Sequence, residues 1–422
     1  LAAVAAISTG AMAADKGVDL DVTGQAVIYY ETHSDDSTGD KGFFDTDNSN
    51  ANVGLQLNVG GDLGNGFTLG SQLTFIDALG LNNNLVGDTN VKQVGGSVPN
   101  TKALGATDTT NDLALTKIFV AKQIGNTTLK IGRQELPKSL SPLAYSEGWN
   151  VFKNTFDAIV AINTDIKDTT LVGAYVAAGN RTTGLAGLSQ MQNLVAAGLE
   201  VTDGAYMLTV ANKSIPMTAL TASYYTLHGI DTTGTGTPNS SNNASAYWID
   251  ANIAGKDLPL GLNIGLQYGN ISPDLADLAT EKDTSAIGAK VSLKPIDVLG
   301  LTLAYTSVDD GTVAVKNTGT GVKSPLFTQM IYNQDFISSD ADTIMLKGAY
   351  SLGDMGKVIA QYAISFDESK PSIAAEDYAE LDLIYKVKAG GIQYFAAYIN
   401  RAWDRVAGST AIDKDDKIRC AT

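Results

Sequence analysis

The feature that most constrains the fold of this chain is a two-residue alternation of apolar and wettable side chains that returns along its length. In one such segment Leu260, Leu262, Ile264, Leu266 and Tyr268 are separated by Gly261, Asn263, Gly265 and Gln267. Comparable segments run over residues 52–59 and 380–387. Because successive side chains of a strand point to opposite faces, each segment has one oily face and one polar face. Repeated alternating segments of about ten residues, separated by turns, predict a transmembrane antiparallel β-barrel with lipid outside and water inside.

The composition excludes several other classes of protein. Although 44% of the 422 residues are hydrophobic, no run approaches the roughly 18 apolar residues that a spanning helix needs. A formal net charge of −16 argues against nucleic-acid binding, which requires clustered Lys and Arg. The single cysteine, Cys420, allows no disulfide framework. No shift in composition marks a domain boundary, so one barrel domain accounts for the length.

Turn-forming residues divide the chain into short and long connections that alternate. The short connections lie near residues 62–65, 125–126, 166–168, 213–216, 255–259, 294–300, 353–354 and 389–390. The long connections cover approximately residues 34–49, 80–111, 135–153, 179–203, 229–244, 272–283, 309–339, 368–376 and 404–414. This order predicts a barrel of about 18 strands, with tight periplasmic turns and long extracellular loops.

Three segments of the long connections call for separate interpretation. Leu194–Val201 could be an extra strand, but an odd strand number would prevent up-and-down closure, so we assign it to a structured part of the fourth long connection. Residues 232–243 and 313–323 are rich in Gly, Thr, Ser and Asn. Such segments cannot form a packed core by themselves, and we predict that both are surface loop tips.

The sequence contains no recognisable catalytic constellation. Its two histidines, His33 and His228, are too few for a multi-histidine metal site, and neither a nucleophile elbow nor a phosphate-binding loop is present. The segment Asp45–Ser49 opens like a calcium loop but lacks Gly at the sixth position and Glu at the twelfth. We therefore predict that the protein is not an enzyme.

Orienting each strand by its apolar face predicts which charged side chains line the lumen. Lys117 and Arg401 share a face with apolar neighbours, and we place them inward on their charge alone, because a cation facing hydrocarbon at mid-depth costs about 2–4 kcal/mol. The alternative, which the sequence leaves open, is that some of these groups form salt bridges that only stiffen the wall. The other predicted lumen residues are Lys130, Asp157, Asp250, Lys290, Lys347, Glu380, Asp382 and Lys386.

The third long connection has the composition of a loop that packs. Residues 134–153 contain two prolines, three aromatic residues and charges of both signs. Folded into the barrel, this loop would narrow it, with Arg133 at its start and Glu135, Lys138, Glu147 and Lys153 near the constriction. The alternative is a surface loop that covers the mouth or seals a trimer.

These residues also carry a resemblance to a known family. The motifs Gly132–Leu136, Pro142-Leu143, Asn154–Ala158 and Ile166–Leu171 are similar to the third-loop region of the OprD-like porins. The stretch Ser146–Phe152 more closely resembles the Campylobacter-type major outer-membrane porins of that superfamily.

The resemblance implies an 18-stranded barrel in the outer membrane, assembled as a trimer and open to small hydrophilic solutes, with cations favoured. It also implies that the third loop forms the constriction, and that calcium can be associated with it in some relatives. No other cofactor is expected. Outer-membrane lipid and lipopolysaccharide are the expected surroundings.

Both ends of the chain carry further expectations. Residues 1–13 read as the last part of a secretory signal peptide, with cleavage near Ala14, so that residues 14–422 form the barrel domain. Members of the family end in a strand that closes on an aromatic residue, whereas here the strand beginning at Asp415 stops at Thr422. We expect the native protein to continue for several alternating residues.

The sequence therefore predicts a general-diffusion porin of a bacterial outer membrane. A surface barrel that acts mainly as an adhesin or antigen is the first alternative. A secreted soluble β-protein is the second.

Overall fold

The structure is a computed structural model that describes residues 4–12, 19–35, 42–77, 111–148, 151–180, 191, 193–196, 199–232, 241–278, 280–366, 375–405 and 414–421. Nearly all regular structure in these residues is β-strand. The strands are β1 (Val4–Met12), β2 (Asp19–Asp35), β3 (Ser49–Gly64), β4 (Phe67–Asp77), β5 (Asn111–Ile124), β6 (Thr127–Gln134), β7 (Phe156–Asn163), β8 (Thr169–Gly179), β9 (Leu194–Ala196), β10 (Leu199–Val201), β11 (Ala205–Asn212), β12 (Thr218–His228), β13 (Ile230–Asp231), β14 (Asn243–Ala254), β15 (Asn263–Asp274), β16 (Thr284–Ile296), β17 (Leu299–Val308), β18 (Ala341–Ser351), β19 (Lys357–Phe366), β20 (Ala375–Ala389), β21 (Ile392–Arg405) and β22 (Lys414–Ala421). Short 3₁₀ turns occupy Thr46–Asn48, Pro259–Gly261, Asn333–Phe336 and Gly353–Met355. No helix among the described residues is long and apolar enough to cross a membrane.

Eighteen of the described strands form one closed antiparallel barrel, as the sequence predicts. They are β2–β8, β11, β12 and β14–β22, each paired with the next, and β22 pairs with β2 to complete the cylinder. The short connections join alternate pairs at one end, for example Gly125-Asn126 between β5 and β6. The predicted alternation of short and long connections is therefore confirmed.

The gap between β2 and β21 is filled by two strands that lie end to end. β22 pairs with Tyr29–Asp35 of β2, whereas β1 pairs with Leu20–Gln25 of β2 and touches the start of β21. The segment that we predict to be a signal peptide thus pairs as a strand here. The cleavage of residues 1–13 as a signal peptide stays a prediction.

The outer surface of the barrel is apolar because the alternation is regular. Leu57, Leu208, Leu266 and Leu383 are among the large side chains exposed on this surface. This is the arrangement that a lipid-facing wall requires.

The interior of the barrel is partly filled. Along β7, β8 and β11 the inward positions are apolar and buried, as at Val160, Val176 and Met207. They pack against the third and seventh long connections, which we call L3 (residues 135–155) and L7 (residues 309–340). Leu143 of L3 and Val315 of L7 belong to this core.

Two sequence interpretations of the long connections can be compared with this arrangement. Leu194–Val201 forms β9 and β10, which make a small separate sheet with β13, so its assignment to a structured connection is confirmed. The prediction that residues 313–323 form a surface tip is wrong, because Val313, Val315 and Asn317 of this segment are buried inside the barrel. Residues 233–240 of the other predicted tip lie outside the described residues.

Candidate functional site

L3 and L7 interlock through a buried carboxylate inside the barrel. Glu147 of L3 accepts hydrogen bonds from Asn317 Nδ2 (3.0 Å), from the backbone N–H of Lys323 (3.3 Å) and from the Thr320 hydroxyl. Burial raises the pKa of Glu147, and the hydrogen bonds from Thr320 and Asn317 act in the opposite direction. Asn317 Nδ2 also donates to the backbone oxygen of Tyr145 (2.8 Å). Glu147 therefore joins the two loops and does not face an opening.

Lys138 has a similar part in the interlock. Its Nζ lies 3.3 Å from the backbone oxygen of Ser324 in L7 and 5.1 Å from the ring centroid of Tyr145. The sequence places Lys138 near the constriction, and the structure brings it to the contact between the loops that narrow the barrel.

L7 is anchored to the opposite wall by two acidic residues of β20. Glu380 Oε1 accepts the backbone N–H of Tyr332 (2.8 Å), and Asp382 Oδ2 accepts the backbone N–H of Ile331 (3.3 Å) and Gln361 Nε2 (2.6 Å). Both side chains point inward, as predicted, but their exposure is 0%. The expectation that they line a water-filled lumen is wrong, because L7 covers them.

The same part of L7 reaches the seam where the barrel closes. The Tyr332 hydroxyl donates to Glu31 Oε2 on β2 (2.7 Å), and Arg419 Nε on β22 lies 3.9 Å from the same oxygen. The guanidinium of Arg401 lies 5.1 Å from the Tyr332 ring centroid, so its predicted inward placement holds although L7 covers it. Sequence reasoning does not single out Glu31, which shares the inward face of β2 with Tyr29.

A row of adjoining cavities, which we call the path, lies between the two loops and the wall formed by β2–β5 and β19–β22. Three adjoining cavities of about 510, 480 and 320 Å³ share Val27 of β2 and Val151 of L3 in their walls. The largest is bounded mainly by β20 and β21, and the second by β2–β5 together with L3. L3 and L7 thus fill the side of the barrel formed by β7–β16, and L7 also reaches across to β20. The space that stays open adjoins β2–β5, β20 and β21.

A charged triplet lies at the edge of the second cavity. Lys117 forms an ion pair with Glu135, whose other oxygen lies 3.6 Å from Lys153 Nζ. The Lys153 side chain is 57% exposed and that of Glu135 35% exposed. Lys117 points inward because a bulge at Thr116 shifts the alternation of β5 after Leu115, which resolves the ambiguity that the sequence leaves at Lys117.

The other predicted basic residues lie on inward faces, and most of them sit over aromatic rings. Lys130 Nζ is 3.7 Å from the Phe119 centroid, and Lys290 Nζ is 4.1 Å from that of Phe327. Lys347 shares the inward face of β18 with buried Met345. Lys386 Nζ is 5.2 Å from the Phe395 centroid. The predicted acid Asp250 also lies on an inward face and accepts hydrogen bonds from Trp248 Nε1 (3.0 Å) and Gln267 Nε2 (2.8 Å).

Arg133 and Asp157 are placed wrongly by the sequence. They face each other across β6 and β7 with Nε and Oδ1 3.0 Å apart, on the same outer face as Ile131 and Ile159. The error arises because the more apolar face of β7, which includes Phe156, packs inward against the loops instead of facing lipid. The apolar-face rule fails wherever the interior of the barrel is itself apolar.

We predict that Asp157→Asn will leave ion selectivity unchanged, since the side chain lies outside the water path. The measurement is the reversal potential across a planar bilayer under a salt gradient. A shift towards anions would return Asp157 to the lumen and contradict the inversion of β7.

The described residues offer no site that fits the calcium ion implied by the resemblance. They contain no group of three or more His, Cys, Asp or Glu side chains arranged to hold a metal. Calcium is a hard cation that takes six to eight oxygen ligands, and its association with the third loop stays a prediction that rests on the resemblance.

Solved structures show what this fold resembles. No protein-family model and no curated protein matches the sequence. The chain is similar to OpdO of Pseudomonas aeruginosa, with 14% identity and a TM-score of 0.70 over 95% of this chain and 96% of that chain. It is also similar to OpdK of P. aeruginosa in complex with vanillate, with 14% identity and a TM-score of 0.70 over 95% and 98% of the two chains. For OccAB2 of Acinetobacter baumannii the values are 15% and 0.67 over 94% and 97%.

These neighbours are OprD/Occ-family outer-membrane porins, which are non-enzymatic channels. At this level of identity the similarity shows that the chain has the fold of an OprD-like porin. This agrees with the resemblance drawn from the third-loop motifs.

Proposed function

We propose that this chain forms a channel in the outer membrane of a Gram-negative bacterium, through which small hydrophilic solutes and ions diffuse. The observation that carries the proposal is the path beside L3 and L7, where cavities of about 510, 480 and 320 Å³ adjoin within a closed barrel. The fold shared with OprD/Occ porins supports it. The narrower relationship to Campylobacter-type porins is part of the same proposal and rests on residues 146–152.

Reconstitution of the full chain into planar bilayers tests the proposal. Stepwise conductance increments are expected, in groups of three if the barrel assembles as the homotrimer that we propose. An electrically silent but folded barrel, recognised by its heat-modifiable migration on gels, would favour the adhesin alternative.

We also propose a preference for cations that arises at the outer loops rather than in the narrow part of the path. Asp309, Asp310, Asp340 and Asp342 border a cavity of about 250 Å³ at the outer end of β17 and β18. Exposed charges of this kind are screened by salt, with a Debye length of about 10 Å at 0.1 M and about 3 Å at 1 M. The cation preference should therefore weaken strongly as the salt concentration rises.

A second candidate is the passage of carboxylates, and the lysines along the path favour it. Lys153 and Lys386 border the cavities close to the apolar side chains of Val27 and Phe395. The neighbour OpdK is known in complex with vanillate. An aromatic carboxylate added to one side of the bilayer would reduce the ion current if this candidate is correct.

The charged triplet gives a prediction for the narrow part of the path. Reversing the charge in Lys153→Glu places a second carboxylate beside Glu135 and should shift the reversal potential towards stronger cation preference. Lys213→Glu, at a lysine exposed in the short turn between β11 and β12, is the matched control and should have a much smaller effect at 1 M salt. Equal shifts in the two variants would mean that Lys153 does not border the conducting path.

A further inference from the structure

The wall of the second cavity also carries a row of uncharged amide side chains. Gln25 of β2 faces Gln56 of β3, and Asn58 of β3 faces Gln72 of β4 in the strand register. All four side chains lie on the inward face and border the same cavity as Lys117 and Glu135. We call Gln25, Gln56, Gln72 and Asn58 the amide row.

Hydrogen bonds fix the amide row in one orientation. Gln25 Nε2 donates to Gln56 Oε1 (2.6 Å), Gln56 Nε2 donates to Gln72 Oε1 (3.2 Å), and Gln72 Nε2 donates to Asn58 Oδ1 (2.8 Å). The hydroxyl groups of Thr74 and Thr116 also hydrogen-bond to the row. Thr74 Oγ1 lies 3.1 Å from Gln56 Nε2, and Thr116 Oγ1 lies 2.9 Å from Gln72 Oε1. The row is therefore a fixed set of dipoles and carries no net charge.

The amide row keeps hydrogen-bonding capacity at its two ends. A primary amide offers two N–H donors and an oxygen that can accept twice. Within the described residues, the bonds above use one N–H of Gln25 and only the oxygen of Asn58. Gln25 and Asn58 are half-buried, so both ends are accessible from the cavity, whereas Gln56 and Gln72 are buried in the middle.

L3 forms the other side of this cavity and lies close to the wall. The ring of Phe152 packs directly over Gly54, where any Cβ would lie 2.6 Å from the ring. Gly54 precedes Gln56 on the same face of β3, so this contact fixes the distance between L3 and the amide row. The cavity volume of about 480 Å³ falls within the range of roughly 300–1,000 Å³ that is typical of small-molecule sites.

We propose that the amide row is a selectivity element for uncharged polyols, such as small sugars; the proposal rests on the channel function above. A polyol that enters a narrow passage gives up hydrogen bonds to water, and oriented amides that replace them lower the cost of entry. Neutral amides bind each solute weakly enough to release it, which flux through a channel requires. The ions are steered by the lysines and acids, whereas the amide row acts on solutes that carry no charge.

The test compares sugar entry with ion conductance in reconstituted full-length protein. Gln25→Leu keeps the side-chain volume but removes one accessible end of the row. We expect the rate of liposome swelling in arabinose to fall by about fivefold, which corresponds to the loss of roughly one hydrogen bond, while KCl conductance stays close to that of the wild type. Gln25→Asn keeps a neutral primary amide with its N–H donors at this position and should restore part of the arabinose entry.

Thr209→Val is the matched control, because Thr209 bonds Ser223 in the filled half of the barrel and is fully buried. It should leave both readings unchanged. A parallel fall of arabinose entry and KCl conductance in Gln25→Leu, or no fall in either, would overturn the proposal. A wild-type channel that conducts KCl and excludes arabinose would also overturn the proposal. That result would still be consistent with the channel function. Wild-type protein that passes neither would instead refute the channel function.

Discussion

Replacing both Glu380 and Asp382 by alanine should release L7 and produce larger, noisier single-channel currents. The backbone N–H groups of Tyr332 and Ile331 would lose their carboxylate acceptors. A hydrogen bond to a charged group contributes about 1.5–3 kcal/mol, and about 1.4 kcal/mol is a tenfold change in an equilibrium. The equilibrium constant between docked and released L7 should therefore fall by at least about tenfold.

Asp297→Ala is the control for this experiment, since Asp297 lies fully exposed in the short turn between β16 and β17, with Oδ1 3.4 Å from Lys294 Nζ. Its currents should match those of the wild type. Current steps of wild-type size, combined with a reduced cation preference in the double variant, would show that Glu380 and Asp382 face water after all.

Phe156→Ala should strongly destabilise the barrel because Phe156 fills the interior beside L7. Its exposure is 0%, and its ring lies so close to Gly319 that a Cβ there would be 2.4 Å from Cζ. Truncating a buried phenylalanine typically lowers the free energy of unfolding by about 3–5 kcal/mol. Urea titration of the protein in lipid vesicles, followed by tryptophan fluorescence, measures the change.

Ile159→Ala in the same strand is the matched control. Ile159 is 45% exposed on the outer face, where it contacts lipid rather than a packed protein core. Its loss of stability should be clearly smaller. If Ile159→Ala is the more destabilising of the two, β7 has the opposite orientation, and the inward core of β7 and L7 does not exist.

The strand number, the order of connections and the inward faces of most strands could be predicted because each depends on local sequence. Two-residue alternation and turn chemistry act over a few residues, and they located Lys290, Lys347 and Lys386 on the correct face. The contacts of L7 could not be predicted in this way. They join residues far apart in the chain, such as Tyr332 with Glu31, and no periodicity marks such a pair.

The errors share one physical origin. The apolar-face rule treats every inward face as one that meets water, so polar composition indicates exposure in the loops and the lumen in the strands. L7 is an exception in both respects. Its Gly- and Thr-rich part is buried, and it covers the acidic residues of β20. The apolar residues Val313, Val315 and Leu326 in L7 were the available signal. In a loop fully exposed to water, these apolar side chains would not be buried and would not stabilise the fold.

Since L3 and L7 fill part of the barrel interior, the width of the passage is not fixed by the circumference of the barrel. The two loops determine the width of the passage and the side chains that line it, while the lipid-facing surface of the strands can stay the same. Grafting other loops onto the same barrel strands would then yield channels of different width without any change in strand pairing.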